Sequence, residues 1–235
     1  MTWRLIITGL FLASPAMAAL DTGKSFTHAV PAQRVFALLF LMIGPLKILG
    51  PFVAMTRGTE PAFRRRLATR AILFSAAALV LAGSIGHQML RNFNIPIPIL
   101  ALTGGLVLFL VALQTLLAQF KTADPPRAET RKPEMAMAIN PLAFPTIVTP
   151  YGIAAVIIFV SLAEGDHAAQ LVIAGLVGVI LLLDWLAMLA AHTILKHAGT
   201  ALQIFAIVLG VTQVALGLLI IFQALAATGV LVLRL

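Results

Sequence analysis

Cysteine is absent from this chain, a single tyrosine is present, and charged residues make up only 10% of it. Each shortage excludes something. Without cysteine there are no disulfides, no thiolate metal sites and no cysteine nucleophile. With so little charge, and with 61% hydrophobic residues and a mean hydropathy of +1.06, 235 residues cannot form a soluble domain. Such a domain has too little interior to hide that much apolar surface, so the bilayer has to act as solvent. The chain also lacks a His-Glu-x-x-His zinc pair, a Gly-x-Ser-x-Gly elbow, a Gly-Lys-Ser/Thr phosphate loop and a pair of aspartates within its apolar runs. These absences point away from an enzyme, a metal centre or a cofactor.

Six apolar segments are present, near residues 33–55, 67–89, 97–119, 138–161, 169–192 and 202–224. Each reaches the roughly 20 residues that a spanning helix needs. Their Ala, Leu, Ile and Val runs lack the alternation of a barrel strand, and backbone groups in lipid must be satisfied within the segment. The expected fold is an all-α membrane protein. Residues 1–18 carry Arg4, the apolar stretch Leu5 to Ala13, and Ala16-Met17-Ala18, the three-part layout of a signal peptide. An uncleaved seventh helix is the alternative.

Ten basic residues fall in the loops after the first, third and fifth spans: Arg57, Arg64, Arg65, Arg66, Arg70, Lys121, Arg127, Arg131, Lys132 and Lys196. Only Lys24, Arg34, Arg91 and Arg234 fall on the other side, where Glu164 and Asp166 add negative charge. The bias places the ten in the cytoplasm and both mature termini in the periplasm of a bacterial inner membrane. The net charge of +8 is thereby explained by orientation and anionic lipid, so the expected partner is the bilayer and not nucleic acid.

Three spans per half would make the halves enter the membrane from opposite sides. An ungapped offset of 105 residues pairs Pro45 with Pro150, His87 with His192, Arg91 with Lys196, Ile99 with Ile204 and Gly105 with Gly210. The expected organisation is two inverted three-helix repeats, 33–119 and 138–224. The signal peptide and a periplasmic segment (19–32) precede them, a cytoplasmic linker (120–137) joins them, and a tail (225–235) follows. Inverted repeats place the substrate site near the bilayer midplane at broken helices.

Helix breakers mark that site twice. The first span contains Gly44, Pro45, Gly50 and Pro51; the fourth contains Asn140-Pro141, Pro145 and Thr149-Pro150-Tyr151-Gly152. Two prolines and two glycines in eight residues are expected to open the first helix. Freed carbonyls and half-helix ends at membrane depth are ligands for ions and zwitterions, although a structural kink would leave the same signature. Lys47 sits mid-span, where a lysine costs ~2.5–3.5 kcal/mol and normally pairs or faces a cavity. Asp184 is the acidic residue inside a span, at similar depth. The two are expected to form an ion pair or share a cavity, with Asp184 a proton-coupling candidate; a purely structural pair is the other reading. Gly104, Gly105, Gly210 and Gly217 form small faces suited to close helix packing. His87 and His192 lie near opposite membrane faces. Gln114, Gln203, Gln213 and Gln223 either line a path or bridge helices.

Three motifs together resemble the MarC family of bacterial six-helix membrane proteins: Gly44-Pro45 through Phe52 to Thr56, Ala101-Leu102-Thr103-Gly104-Gly105-Leu106, and Pro141-Leu142-Ala143-Phe144-Pro145 leading to Pro150. The resemblance covers roughly residues 33–224. It implies a fold similar to the LysE-type exporters and a link to small neutral amino acids such as alanine and glycine. Lys47 and Ile48 stand where that family usually shows Gly-Asn, and Thr149-Pro150-Tyr151-Gly152 where it usually shows Gly-Pro-Gly, so a divergent ligand preference is implied. Together the readings point to a secondary transporter of small solutes, with a non-transporting scaffold or stress-response protein as the alternative. A pocket joining Lys47, Pro150 and Asp184 would separate the two.

Overall fold

Proline dictates where this chain departs from a helix. The computed structural model describes residues 32–120 and 134–230. The expected signal peptide, nearly all of the segment after it, most of the linker and residues 231–235 of the tail lie outside them. Among the described residues every regular element is helical. The first span is α1 (Ala32–Ile43), a tight 3₁₀ turn (Pro45–Lys47) and α2 (Leu49–Met55). α3 (Pro61–Asn92) and α4 (Ile97–Phe120) follow. The second half opens with a 3₁₀ turn (Met135–Ala138) and an irregular winding (Ile139–Ile147), then α5 (Pro150–Leu162). One helical stretch, His167–Ala227, is broken at Ala198 into two spans, α6 (His167–Gly199) and α7 (Ile204–Ala227).

The residue before each break is extended: Gly44 (φ −64°, ψ 172°), Asn140 (φ −129°, ψ 120°), Phe144 (φ −131°, ψ 128°) and Thr149 (φ −87°, ψ 152°). Each precedes a proline, whose ring excludes the α region for its predecessor. The expectation that Gly50-Pro51 also opens the helix is not met. Pro51 falls in the first turn of α2, where the missing N–H has no partner to lose. Thr149 supplies the start signal for α5. Its hydroxyl accepts the Gly152 N–H at 3.1 Å, and Pro150 follows at the first helical position. Asp166 caps α6 likewise, accepting the Ala169 N–H at 3.0 Å.

Among the described residues five helical segments are long and apolar enough to span a membrane, and six if Met135–Ile147 and Pro150–Leu162, bent by 65°, count as one broken span. Leu73, Val80 and Leu171 are 65%, 70% and 73% exposed, as leucines and valines facing lipid would be. Inside, Leu39, Ile43, Ile48 and Phe52 of the first span pack with Leu67 and Ala71 of α3, Leu142 and Ile147, and Ile180 and Met188 of α6.

Lipid provides no hydrophobic drive between helices, so close packing must hold them. A Cβ on Gly217 would meet the Phe109 backbone at 2.7 Å, and one on Gly105 would meet Ile220 at 2.9 Å. Gly104 abuts Ala154 of α5 (3.1 Å), whereas Gly210 makes an ordinary 3.6 Å contact with Leu116. Gly86, not singled out from sequence, is the tightest of the helix-to-helix contacts: a Cβ there would lie 2.4 Å from Ile157 of α5.

Candidate substrate site at the paired helix breaks

The last four carbonyls of a helix have no partner within it. In α1 three of them have been filled from outside the regular helix, and the fillers define the site. The Phe40 carbonyl accepts the Gly44 N–H at 2.9 Å. The Leu41 carbonyl faces Pro45, which has no N–H, and accepts instead from Gln213 Nε2 of α7 at 2.8 Å. The Met42 carbonyl accepts both the Lys47 ammonium and, at 3.4 Å, the Thr149 hydroxyl. Thr149 therefore joins the breaks of the two halves, capping α5 with one lone pair and donating its proton to the end of α1.

Lys47 Nζ lies 5.5 Å from the centroid of the Tyr151 ring, within cation–π range. Gly44 admits no other residue without movement, because a Cβ would come 2.1 Å from the Phe40 carbonyl oxygen. Gly152 lets Ile43 approach to 3.0 Å of the same position on α5. A cavity of about 30 Å³ lies beside this junction, lined by Phe40, Leu41, Gly44, Leu46, Lys47, Leu209 and Gln213. That is room for a water or two.

Asp184 is fully buried on α6, and neither carboxyl oxygen has a hydrogen-bond partner among the described residues. It lies within coulombic range of Lys47, but the two do not touch as an ion pair. Lys47 instead turns to the Met42 carbonyl. The lining of this cavity includes Lys47 but neither Pro150 nor Asp184.

The structure thus brings together Gly44, Pro45, Lys47, Thr149, Tyr151 and Gly152, with Asp184 behind them. Gly50, Pro51, Asn140 and Pro150 are exposed. Among the glutamines, Gln213 bridges helices. Pro45 implied in the sequence that Leu41 needed a donor from elsewhere, but not which one.

The two histidines occupy reciprocal positions. His87 Nδ1 of α3 is 3.0 Å from Ser161 Oγ at the end of α5, and beyond it Arg91 donates to Glu164 at 2.7 Å. His192 of α6 stands edge-on to Phe52 at 6.4 Å, with the Thr56 main chain beside it. Shifting by 105 residues turns His87 into His192 and Thr56 into Ser161. Each half therefore places its histidine against the end of the other half's broken span.

Fold and site together describe a multi-pass α-helical membrane protein with a polar junction between two proline-broken segments. Residues 31–228 match the profile of the MarC family integral membrane proteins, and the chain belongs to that family. It is 30% identical over 139 residues to a UPF0056 membrane protein of Archaeoglobus fulgidus, covering 59% of this chain and 65% of that one. It is 28% identical over 126 residues to the UPF0056 inner membrane protein MarC of Salmonella typhimurium and of Escherichia coli O1:K1, covering 51% of this chain and 57% of each relative. The aligned part thus spans between 57% and 65% of the length of these curated relatives. No solved structure matches the chain.

Proposed function

We propose that this protein is an inner-membrane secondary transporter of small solutes, with small neutral amino acids the favoured class and protons the coupling ion. The observation that carries this reading is the junction itself. The broken ends of both halves converge on the Met42 carbonyl, near a fully buried carboxyl group that no described residue satisfies. A purely structural polar centre would satisfy its own groups, because an unpaired buried carboxyl is costly. Asp184 left without partners suits a group that exchanges a proton or meets a substrate amine.

The architecture in this reading is two inverted three-helix repeats, with both mature termini in the periplasm. The repeated order of one broken span and two continuous helices supports it, as do the reciprocal histidines. Alternating access comes from the halves rocking about the breaks. The site uses Gly44, Pro45, Lys47, Thr149, Tyr151 and Gly152, and no catalytic step enters the mechanism. Gly50, Pro51, Asn140 and Pro150 would join only when the halves part. The scaffold alternative draws on one observation, the small size of the cavity at the junction.

Uptake and counterflow of a neutral amino-acid panel in proteoliposomes, with and without a proton gradient, test the reading. Gradient-driven flux that Asp184→Asn abolishes is the expected outcome. Flux retained in full by that variant would remove Asp184 from coupling. Folded protein that moves none of the panel faster than empty liposomes would sink the amino-acid reading.

A further inference from the structure

The Lys47 side chain ends in a place built for a cation. Its ammonium sits at the C-terminal end of α1, where the helix dipole is negative and the Met42 carbonyl accepts from it. The Tyr151 ring face lies at 5.5 Å. Thr149 Oγ1 is 3.4 Å from the same carbonyl and holds the two half-helix ends in place. Asp184, fully buried and with no hydrogen-bond partner among the described residues, places a carboxyl group within coulombic range. A carbonyl, an aromatic face and an unpaired carboxyl group are what recognise a primary ammonium group.

We infer that this junction is a primary-ammonium site that the chain fills with its own Lys47. The lysine is a tethered competitor: an incoming amine takes the place of its head group, and Lys47 withdraws into the neighbouring cavity. In this reading Asp184 has no hydrogen-bond partner among the described residues because its partner is the incoming amine, while Lys47 is held on the Met42 carbonyl. The inference deepens the transporter reading and rests on it for physiological meaning. It is tested by binding without flux, so either can fail alone.

The probe is methylammonium chloride, compared with choline chloride at equal ionic strength, added to purified full-length protein in detergent. Lys47→Ala and Lys47→Gln should bind methylammonium saturably and unfold a few degrees higher at concentrations about 100-fold above Kd. Wild type, whose tethered lysine competes, should respond only at concentrations about 10-fold or more higher. Adding Asp184→Asn to either variant should abolish the shift, and Tyr151→Leu should weaken binding by about 3- to 30-fold. Folded Lys47 variants that respond no more than wild type overturn the inference, as does a shift that survives Asp184→Asn. Should neither variant fold, wild type decides: at those higher concentrations methylammonium must raise its unfolding temperature saturably and choline must not. A wild type that methylammonium shifts no more than choline does overturns the proposal.

Discussion

The two breaks solve opposite halves of one problem. At residues 43–48 a helix ends, and its orphan groups are carbonyls; at 148–150 a helix begins, and its orphan groups are N–H donors. The second break is self-sufficient. Thr149 caps its own helix through the Gly152 N–H, three residues along, and the chain bends by 65°. The first break is dependent: no neighbour in sequence can donate to Leu41, so Gln213, 172 residues away, does so. Short polar side chains reach a helix N-terminus locally, but in lipid a helix C-terminus has no water to fall back on. The end that must recruit donors from elsewhere is therefore the end where the halves meet and where the Lys47 head group is held.

Breaking the dependent end should cost the most. Gly44→Ala places a methyl group 2.1 Å from a backbone oxygen that cannot move aside, so a loss of about 3 kcal/mol or failure to fold is expected in reversible unfolding. Gly152→Ala meets only side chains, at 2.8 and 3.0 Å, and should cost about 1–2 kcal/mol in the same assay. Equal losses at the two glycines would erase the distinction drawn between a backbone wall and a side-chain wall.

Gln213→Leu strips the Leu41 carbonyl of its donor while keeping bulk, and should destabilise by about 0.6–1.7 kcal/mol, the range seen for hydrogen bonds between helices in membranes. Thr149→Ala removes a local cap and a weaker link between halves, for about 0.5–2 kcal/mol, and Thr149→Ser should restore most of it. A double-mutant cycle sharpens the comparison: Gln213 and Thr149 fill adjacent carbonyls of one helix end, so their effects should not add. Additivity would show that the two donors act independently. The smallest effect belongs to the exposed pair at the membrane edge. Arg91→Ala should cost about 0.2–1 kcal/mol, and high salt should erase even that.

Much of this was legible in the chain. Apolar length alone locates the spans, because lipid demands about 20 residues whatever the neighbours are. α3 and α6 still run past their expected ends, to Pro61–Asn92 and His167–Gly199, since a helix continues beyond the membrane until something stops it. Gly44-Pro45 and Thr149-Pro150 were readable as breaks because pre-proline sterics are local. Gly50-Pro51 misled for an equally local reason: once Pro45 had stopped α1, Pro51 merely helped start α2. Lys47 and Asp184 stood out by charge, but charge does not choose a partner. The carbonyl that holds Lys47 is backbone, and every residue carries one.

By itself, then, the sequence determined a multi-pass helical membrane protein, the places where its helices break, and the two buried charges near those places. These follow from hydropathy, from the proline ring and from the cost of charge in lipid, all of which act within a few residues. Only the tertiary structure decided that both breaks meet on the Met42 carbonyl, that Gln213 donates to α1, and that Asp184 finds no hydrogen-bond partner among the described residues. Those outcomes depend on which surfaces come close when helices distant in sequence pack, and the contacts that bring them close are glycine clearances of a few ångströms.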